Sequence, residues 1–368
     1  MKKILIFSLA YYPNVGGAEV AIKEITDRIA DIEFHLVCLH FGKAHVPLPN
    51  TERLGNVVVH RIGFKNQSRL NKFLFQFLAA LKGSVLHRTH HFGATWAMMA
   101  HSAGVPGALF KMTHPKVPFI LTLQEGDPPE YIERVMRPLW PLFVRAFRTA
   151  DVVQAISTFL GDWARRRGFT GPLEIIPNGV DISRFAKTLV PHEGRVLITT
   201  SRLVHKNAID DVIRALPQLP GMRFKIFGTG PDEPALRALA AQLKVEDRVE
   251  FLGHVDHAHM PAHLHAADIF VRPSRSEGMG NSFVEAMAAG LPVIATREGG
   301  LADFVTSEVA WPVRKDNPKD IARAVKDILG NPERAARVVE TARRLAFSKY
   351  DWALIARDMR ERVFARVL

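Results

Sequence analysis

Short apolar segments alternate with stretches of helical periodicity along most of the chain. These segments are apolar on both faces and read KILIFSL, FHLVCLH, PFILTLQ, DVVQAIS, RVLITTS, FKIFG, DIFVRPS and PVIAT. Strands that are apolar on both faces and separated by helices are typical of parallel sheets with helices on both sides. The pattern therefore predicts an α/β protein built from Rossmann-like, doubly wound parallel sheets.

Two strand–turn–helix units, at residues 4–30 and 196–216, predict where two domains begin. A chain of 368 residues is also too long for one ordinary core. The segment between the units is rich in turn residues, and we place the domain boundary within residues 186–191. Two such domains facing each other would form a cleft, with ligands at the carboxyl ends of the strands.

Composition narrows the class of protein. Hydrophobic residues make up 47% and charged residues 23%, as expected for a folded globular chain. The single cysteine excludes an intramolecular disulfide and fits a reducing, cytoplasmic location. The apolar run at the N-terminus leads into a glycine turn, so we interpret it as a buried strand and not as a signal peptide. No segment reaches the length of a membrane-spanning helix.

The formal net charge of +12 would suit a nucleic acid, an anionic membrane or a phosphorylated substrate. Zinc-finger spacing and RNA-binding aromatic motifs are missing from the sequence, so we expect no nucleic-acid partner. Five histidines between residues 254 and 265 resemble a metal cluster, but their spacing matches no zinc signature. We therefore predict no metal site.

The stretch SEGMGNSFVEAMAAGLPVIAT, residues 276–296, predicts a loop, a helix and a strand. Asn281 or Ser282 can cap the helix, whose N-terminus favours an anion such as phosphate. Glycines before the helix allow a ligand to approach the backbone. Glu285 lies in the first turn, where a ribose diol suits it better than a phosphate. The same residues also fit a capping box of Ser282 and Glu285, and that alternative stays open.

Two further motifs favour a nucleotide. Arg202 and Lys206 follow a predicted strand, and a diphosphate would pair both cations. A surface Arg and Lys near a helix start is the alternative. Gly228 and Gly230 follow another strand in GTGP, which suits either a tight turn or a base or ribose lying on the backbone.

Taken in order, these motifs resemble the retaining glycosyltransferases of family 4, which have the GT-B fold. The resemblance covers nearly the whole chain. It rests on the Glu-x7-Glu pattern of Glu277 and Glu285 and on four other motifs: YYPNVGGAEVAIKEI, IIPNGVDISRF, SRLVHKN and GTGP. It implies an N-terminal acceptor-binding domain over residues 1–186 and a nucleotide-sugar-binding domain over 187–348. A C-terminal helix over 349–368 would pack back on the first domain.

The resemblance also implies roles for individual residues. Arg202 and Lys206 would hold the diphosphate of a UDP- or GDP-sugar donor, and Glu285 would bind its ribose. Glu277 would contact the transferred sugar, so that Glu277, Arg202 and Lys206 form the predicted catalytic set. Members of the family use no catalytic metal, and no cofactor is expected. The remaining predicted donor contacts are Gly16, Gly17, Gly228, Gly230, Gly278, Met279, Gly280, Asn281 and Ser282.

One departure from the family pattern concerns the N-terminal half. Many members have a histidine that touches the donor sugar where this chain has Gln124. Glu125 and Asp127 are then candidate acceptor residues, with a polar loop as the alternative. His90 and His91 are further acceptor candidates, or ordinary structural histidines.

The acceptor is predicted to be a glycan or a lipid-linked sugar, in polysaccharide or glycolipid synthesis. Residues 64–88 predict a basic, amphipathic helix. It would either lie on an anionic membrane, making the protein peripheral on the inner face, or pack on the sheet with a basic outer side. Two other functions stay open: a different nucleotide-sugar enzyme of the same fold, and a non-catalytic partner subunit.

Overall fold

The computed structural model describes residues 1–42, 48–185 and 195–368. The predicted domain boundary at residues 186–191 lies outside the described residues. The chain forms two compact units. Unit 1 contains Met1–Asn178 and Trp352–Leu368, and unit 2 contains Gly179–Asp351.

Unit 1 is a sheet with the strand order β3-β4-β2-β1-β5-β6-β7-β8. All neighbouring strands are parallel except β3 and β4, which form an antiparallel pair at one edge. Its strands are β1 (Lys2–Phe7), β2 (Ile32–Leu39), β3 (Thr51–Leu54), β4 (Val57–Ile62), β5 (Ala94–Met98), β6 (Phe119–Leu123), β7 (Val152–Ala155) and β8 (Leu173–Ile175).

Helices connect these strands, as expected for parallel neighbours. The helices of unit 1 are α1 (Gly17–Thr26), α2 (Arg69–His90), α3 (Val105–Thr113), α4 (Pro129–Val135), α5 (Trp140–Thr149) and α6 (Thr158–Arg166). A π-helical turn at Ala100–Gly104 precedes α3.

Unit 2 is a parallel sheet with the order β11-β10-β9-β12-β13-β14. Its strands are β9 (Arg195–Thr200), β10 (Met222–Phe227), β11 (Val249–Gly253), β12 (Ile269–Arg272), β13 (Val293–Ala295) and β14 (Trp311–Pro312). Its helices are α7 (Ile182–Phe185), α8 (Ile209–Ala215), α9 (Glu233–Gln242), α10 (Met260–His265), α11 (Asn281–Ala288), α12 (Pro318–Gly330) and α13 (Pro332–Lys349).

The C-terminal segment completes the core of unit 1. It comprises α14 (Trp352–Asp358) and the irregular turns that follow. Trp352, Met359 and Phe364 are buried with Ile4, Trp96 and other residues of the first sheet. The prediction of two parallel-sheet domains and of a C-terminal helix that returns to the first of them is confirmed.

Among the described residues, we find no helix that combines the length and the apolar character needed to span a lipid bilayer.

Candidate active site

The connections of the unit 2 sheet diverge between β9 and β12. From β9 the chain proceeds through β10 to β11 on one side, whereas β12, β13 and β14 follow on the other side. The carboxyl ends of strands that flank such a switch point form the usual ligand-binding crevice of open parallel sheets. Here the loop after β9 contains Arg202 and Lys206, and the loop after β12 contains Glu277.

Arg272, the last residue of β12, connects these two loops. Its Nη1 atom donates to the backbone oxygen of Thr200 at 3.0 Å and to Oγ of Ser282 at 2.8 Å. Its Nη2 atom donates to Oε2 of Glu277 at 2.9 Å. The guanidinium also lies over the ring of Phe283, 4.3 Å from its centroid. Arg272 therefore joins the end of β9 to Glu277 and to the first turn of α11.

Arg272 is buried, and this burial lowers the pKa of its guanidinium from the ordinary value. A buried cation requires a compensating anion, which Glu277 supplies. Sequence reasoning missed Arg272, although a charged residue at the end of the apolar run DIFVR was a signal.

Glu285 lies on α11 with only 8% of its surface exposed. Its Oε1 atom is 2.9 Å from Nε2 of His257. This hydrogen bond raises the pKa of His257 above its ordinary value, although partial burial opposes the shift. His257 comes from the histidine-rich segment, and its pairing with Glu285 was not predicted.

The predicted helix cap was wrong. Gly280, with φ of 82°, is the N-cap residue of α11, and no side chain caps the helix. Ser282 instead accepts the hydrogen bond from Arg272, so Ser282 and Glu285 do not form a capping box. A Cβ atom on Gly280 would lie 2.5 Å from the Phe283 ring, and the positive φ also favours glycine.

The start of α11 lies in a well-fixed loop. Gly278 and Met279 are buried, whereas Gly280, Asn281 and Ser282 are partly exposed. The backbone N–H of Gly300 donates to the oxygen of Glu277 at 2.9 Å, which fastens the loop from the other side. The free N–H groups of a helix N-terminus in such a loop favour an anion.

The two predicted diphosphate-binding cations lie on the loop after β9, which hydrogen bonds hold in place. Arg202 is exposed and Lys206 is half-buried. The side chain of Asn207 donates to the oxygen of Arg202 at 2.6 Å, and the N–H of Arg275 donates to the oxygen of Lys206 at 2.6 Å. Because Arg275 belongs to the loop after β12, the structure brings Arg202 and Lys206 to the same edge of the sheet as Glu277.

Gly228 and Gly230 let two loops of the protein approach each other. A Cβ atom on Gly228 would lie 1.8 Å from the oxygen of Ser201, and one on Gly230 would lie 2.1 Å from the oxygen of Leu203. The chain itself therefore requires both glycines, which agrees with the tight-turn alternative. Their contact with a nucleotide stays a prediction.

In unit 1, Gly16 and Gly17 begin α1 after the carboxyl end of β1. The N–H of Gly16 donates to Oε2 of Glu19 at 2.8 Å, and burial raises the pKa of that glutamate. A Cβ atom on Gly17 would meet nothing within 4 Å. No packing contact among the described residues explains why Gly17 is a glycine.

Gln124, Glu125 and Asp127 follow the carboxyl end of β6. Gln124 donates through Nε2 to Oδ1 of Asn178 at 2.7 Å, and Asp127 is half-buried. Glu125 is 1% exposed, and its oxygens accept the N–H groups of Ala100 at 2.5 Å and Gln124 at 2.9 Å. The carboxylate of Glu125 thus satisfies buried backbone groups, which agrees with the polar-loop alternative, and its acceptor role stays a prediction.

His90 and His91 end α2, directly before β5 begins. They consequently lie at the amino-terminal edge of the sheet, opposite the edge that carries Gln124. The ring of His90 packs 4.2 Å from that of His35. The structure does not bring these two histidines together with the other acceptor candidates, which favours the alternative that they are structural histidines.

Within the described ranges, no group of three or more His, Cys, Asp or Glu side chains is arranged to hold a metal ion. In the histidine-rich segment, His257 pairs with Glu285, and the ring of His263 packs 4.5 Å from that of Phe227.

Comparison with known proteins gives matches to glycosyltransferases in both halves of the chain. A family described as "Glycosyltransferase Family 4" matches residues 15–184, and one described as "Glycosyl transferases group 1" matches residues 181–345. A curated relative is the GDP-mannose-dependent alpha-(1-6)-phosphatidylinositol monomannoside mannosyltransferase of Mycolicibacterium smegmatis. It is 33% identical over 226 residues, which cover 55% of this chain and 59% of the relative. The chain spans 46–59% of the first curated relatives that it matches.

Solved structures match over the whole chain. Sucrose-phosphate synthase from Thermosynechococcus elongatus has a TM-score of 0.86 at 18% identity and covers 100% of both chains. Anabaena HepE in complex with UDP-glucose has a TM-score of 0.77 at 22% identity, covering 99% of this chain and 100% of that one. At these identities the likeness concerns the fold, which is GT-B. Each half of the chain is therefore similar to glycosyltransferases, and the fold of the whole chain is GT-B.

Proposed function

We propose that this protein is a retaining glycosyltransferase that moves a sugar from a nucleoside-diphosphate sugar to a glycan or lipid-linked acceptor. The observation that carries the proposal is the contact of Arg272 with Thr200, Ser282 and Glu277. It joins the two loops of a parallel-sheet switch point, where open α/β sheets bind their ligands. We propose that the transferred sugar is a hexosyl group.

The donor diphosphate would lie between the loop of Arg202 and Lys206 and the N-terminus of α11. Two cations and a helix dipole provide fixed positive potential, which stabilises the negative charge that grows on the leaving group. Glu277, held by Arg272, would accept hydrogen bonds from the transferred sugar. Glu285, which lies one helical turn into α11, would accept hydrogen bonds from the ribose.

The proposed reaction needs no protein nucleophile. The acceptor oxygen bonds to the anomeric carbon as the bond from that carbon to the diphosphate oxygen breaks. The acceptor's proton passes to the departing diphosphate on the same face of the sugar, so the anomeric configuration is kept. The residues of this chain act by binding, orientation and charge stabilisation.

Two observations bear on the donor and the acceptor. The mycobacterial relative is named as GDP-mannose-dependent and as acting on a phosphatidylinositol mannoside, and the Anabaena structure contains UDP-glucose. We therefore propose a UDP- or GDP-sugar donor, and an acceptor in glycolipid or polysaccharide synthesis. A non-catalytic partner subunit of the same fold would be recognised by the failure to bind any nucleotide.

Isothermal titration calorimetry of the whole chain with UDP, GDP and ADP tests the donor class. Selective binding of one nucleotide, and its weakening in Glu285→Gln with the fold intact, is the expected result. The conservative change keeps the size of the side chain and removes its charge. If none of the three nucleotides binds, the proposed function is wrong.

Substitution of Arg202 and Lys206 tests whether these two residues bind the diphosphate. Arg202→Ala and Lys206→Ala should each weaken nucleotide binding by about 1.5–3 kcal/mol, as expected for charge-assisted hydrogen bonds. Arg214→Ala is the matched control, because Arg214 is an exposed arginine on α8 of the same unit. Wild-type affinity in both of the first two variants would refute the assignment.

A further inference from the structure

The long helix α2 exposes an apolar face. The inward face buries Phe75, Ala79, Gly83 and Leu86, among others. Around the opposite side of the helix, the side chains that point outward are mostly apolar. Five are exposed by a third or more of their surface: Leu70 (64%), Phe73 (44%), Leu78 (36%), Leu81 (64%) and Val85 (56%).

Three of these residues, together with the partly exposed Leu74, form one continuous row. Leu70, Leu74, Leu81 and Val85 are separated by four, seven and four residues, which brings them to the same side of an α-helix. Phe77, partly exposed, lies between them and packs on Phe73. The row, which we call the α2 outer face, extends for about 22 Å along the helix axis.

The helix is fixed so that this face stays outward. A Cβ atom on Gly83 would lie 2.8 Å from the ring of Phe7 and 2.9 Å from Leu5, so α2 lies directly on β1. Ser68 caps the helix by accepting the N–H of Asn71 at 3.2 Å. A rotation that buried the outer face would separate Gly83 from the strand. The surface of a monomeric globular protein rarely exposes such a row of large apolar side chains unless a partner covers it.

The charge of α2 and of the sequence on either side of it has one sign. Residues 53–124 contain nine lysines and arginines and no aspartate or glutamate. On and near α2 the cations are Lys65, Arg69, Lys72, Lys82 and Arg88. A second copy of the chain would bring two such cationic surfaces together, which like-charge repulsion opposes. An anionic surface with an apolar interior complements both the charge and the apolar row.

We propose that the α2 outer face is the surface by which this protein docks on an anionic lipid bilayer. The apolar row would enter the boundary between headgroups and acyl chains, and the flanking cations would contact anionic headgroups. The sequence left two alternatives for this helix, packing on the sheet or lying on a membrane. The structure allows both, because the inward face of α2 packs on the sheet while its outer face is available to a membrane. The inference stands on the helix itself and does not require the proposed donor chemistry.

Vesicle co-sedimentation of the whole chain tests the proposal. We expect binding to vesicles of phosphatidylcholine with phosphatidylglycerol, weak binding to phosphatidylcholine alone, and release as salt is raised, because salt screens surface charge. Leu70→Gln with Leu81→Gln should lower the partition coefficient at least about tenfold, since two leucines no longer enter the bilayer. Both positions are exposed, so the fold should be unaffected.

The matched control is Leu252→Gln with Leu329→Gln, which changes two exposed leucines of unit 2 (42% and 37%) and should leave vesicle binding unchanged. Equal binding to both kinds of vesicle, or wild-type binding by the Leu70/Leu81 variant, would overturn the proposal. So would a dimer in light scattering that this variant dissociates, without vesicle binding by the wild type. Nucleotide titration of the same variant separates these outcomes from a failure of the proposed function.

Discussion

Nε2 of His257 and Oε1 of Glu285 are 2.9 Å apart, so the carboxylate proposed to bind a ribose already holds a histidine of the same unit. Glu285 is nearly buried, while 54% of the His257 side chain is exposed. The pair thus joins the helix α11 to the loop after β11 at the edge of the candidate site.

This pair should stabilise the fold at low pH and less at high pH. The folded-state pKa of His257 is raised by Glu285, so its contribution is complete below the ordinary pKa of 6.5 and is lost as pH rises through the folded value. His257→Ala should cost about 0.5–1 kcal/mol in urea unfolding at pH 6, since the pair is partly exposed. The cost should be smaller at pH 9.

His254→Ala is the control for this experiment, because that neighbouring histidine is 80% exposed. An identical cost for His257→Ala at both pH values would show that the charge of His257 does not matter.

The buried arginine should be the most sensitive charged residue of the candidate site. Arg272→Met leaves Glu277 largely buried without its cation, and such losses cost about 3–5 kcal/mol. Urea unfolding at neutral pH measures this. Arg223→Met is the comparison, since Arg223 pairs with Glu250 at 2.5 Å on the surface, and exposed pairs contribute about 1 kcal/mol or less. Equal costs in the two variants would contradict the structural role assigned to Arg272.

Glycines of the candidate donor contacts should differ sharply in their tolerance of alanine. Gly228→Ala should destabilise the protein by more than about 2 kcal/mol, because φ is 134° and the new Cβ atom would collide with the oxygen of Ser201. Gly17→Ala meets open space and should leave the melting temperature nearly unchanged. Thermal unfolding of both variants, followed by nucleotide titration of Gly17→Ala, separates packing from binding. A normal melting temperature for Gly228→Ala would be the contrary result.

Acid should destabilise unit 1 through His60. Burial, reinforced by His35, lowers the pKa of His60 from 6.5 to about 4. The unfolded chain therefore takes up a proton that the folded chain resists, and stability falls as pH drops from about 6.5 to about 4, by at most roughly 3 kcal/mol. His60→Leu should make this acid-dependent loss shallower in melting curves recorded across that range. His91→Gln, at an exposed position, is the control, and an unchanged pH profile in His60→Leu would contradict the assignment.

The sequence predicted the strands well where apolar runs are continuous. KILIFSL, RVLITTS and DIFVRPS correspond to β1, β9 and β12 within two residues at each end. It did not predict β3, whose residues alternate between exposed and half-exposed, or its antiparallel pairing with β4. An edge strand lacks the continuous apolar run by which buried parallel strands are recognised.

The candidate site was predicted in part, for a similar reason. Motif residues such as Glu277 and Arg202 are recognisable because their order along the chain is distinctive. Arg272 donates a hydrogen bond to the backbone oxygen of Thr200, which is 72 residues away in the sequence, and no local sequence pattern reveals such a contact. Glu125 presents the opposite case, since a polar loop in the sequence does not reveal that the carboxylate faces inward to Ala100.

The return of residues 352–368 to unit 1 has a consequence for how the protein is synthesised. Trp352, Met359 and Phe364 belong to the core that β1 begins, yet they leave the ribosome only after all of unit 2. Synthesis of unit 1 therefore begins before that of unit 2 and is completed after it. A nascent chain that ends before Trp352 exposes the apolar surface of unit 1 that these residues cover. We expect such chains to depend on chaperones, because exposed apolar surface in incomplete chains promotes aggregation.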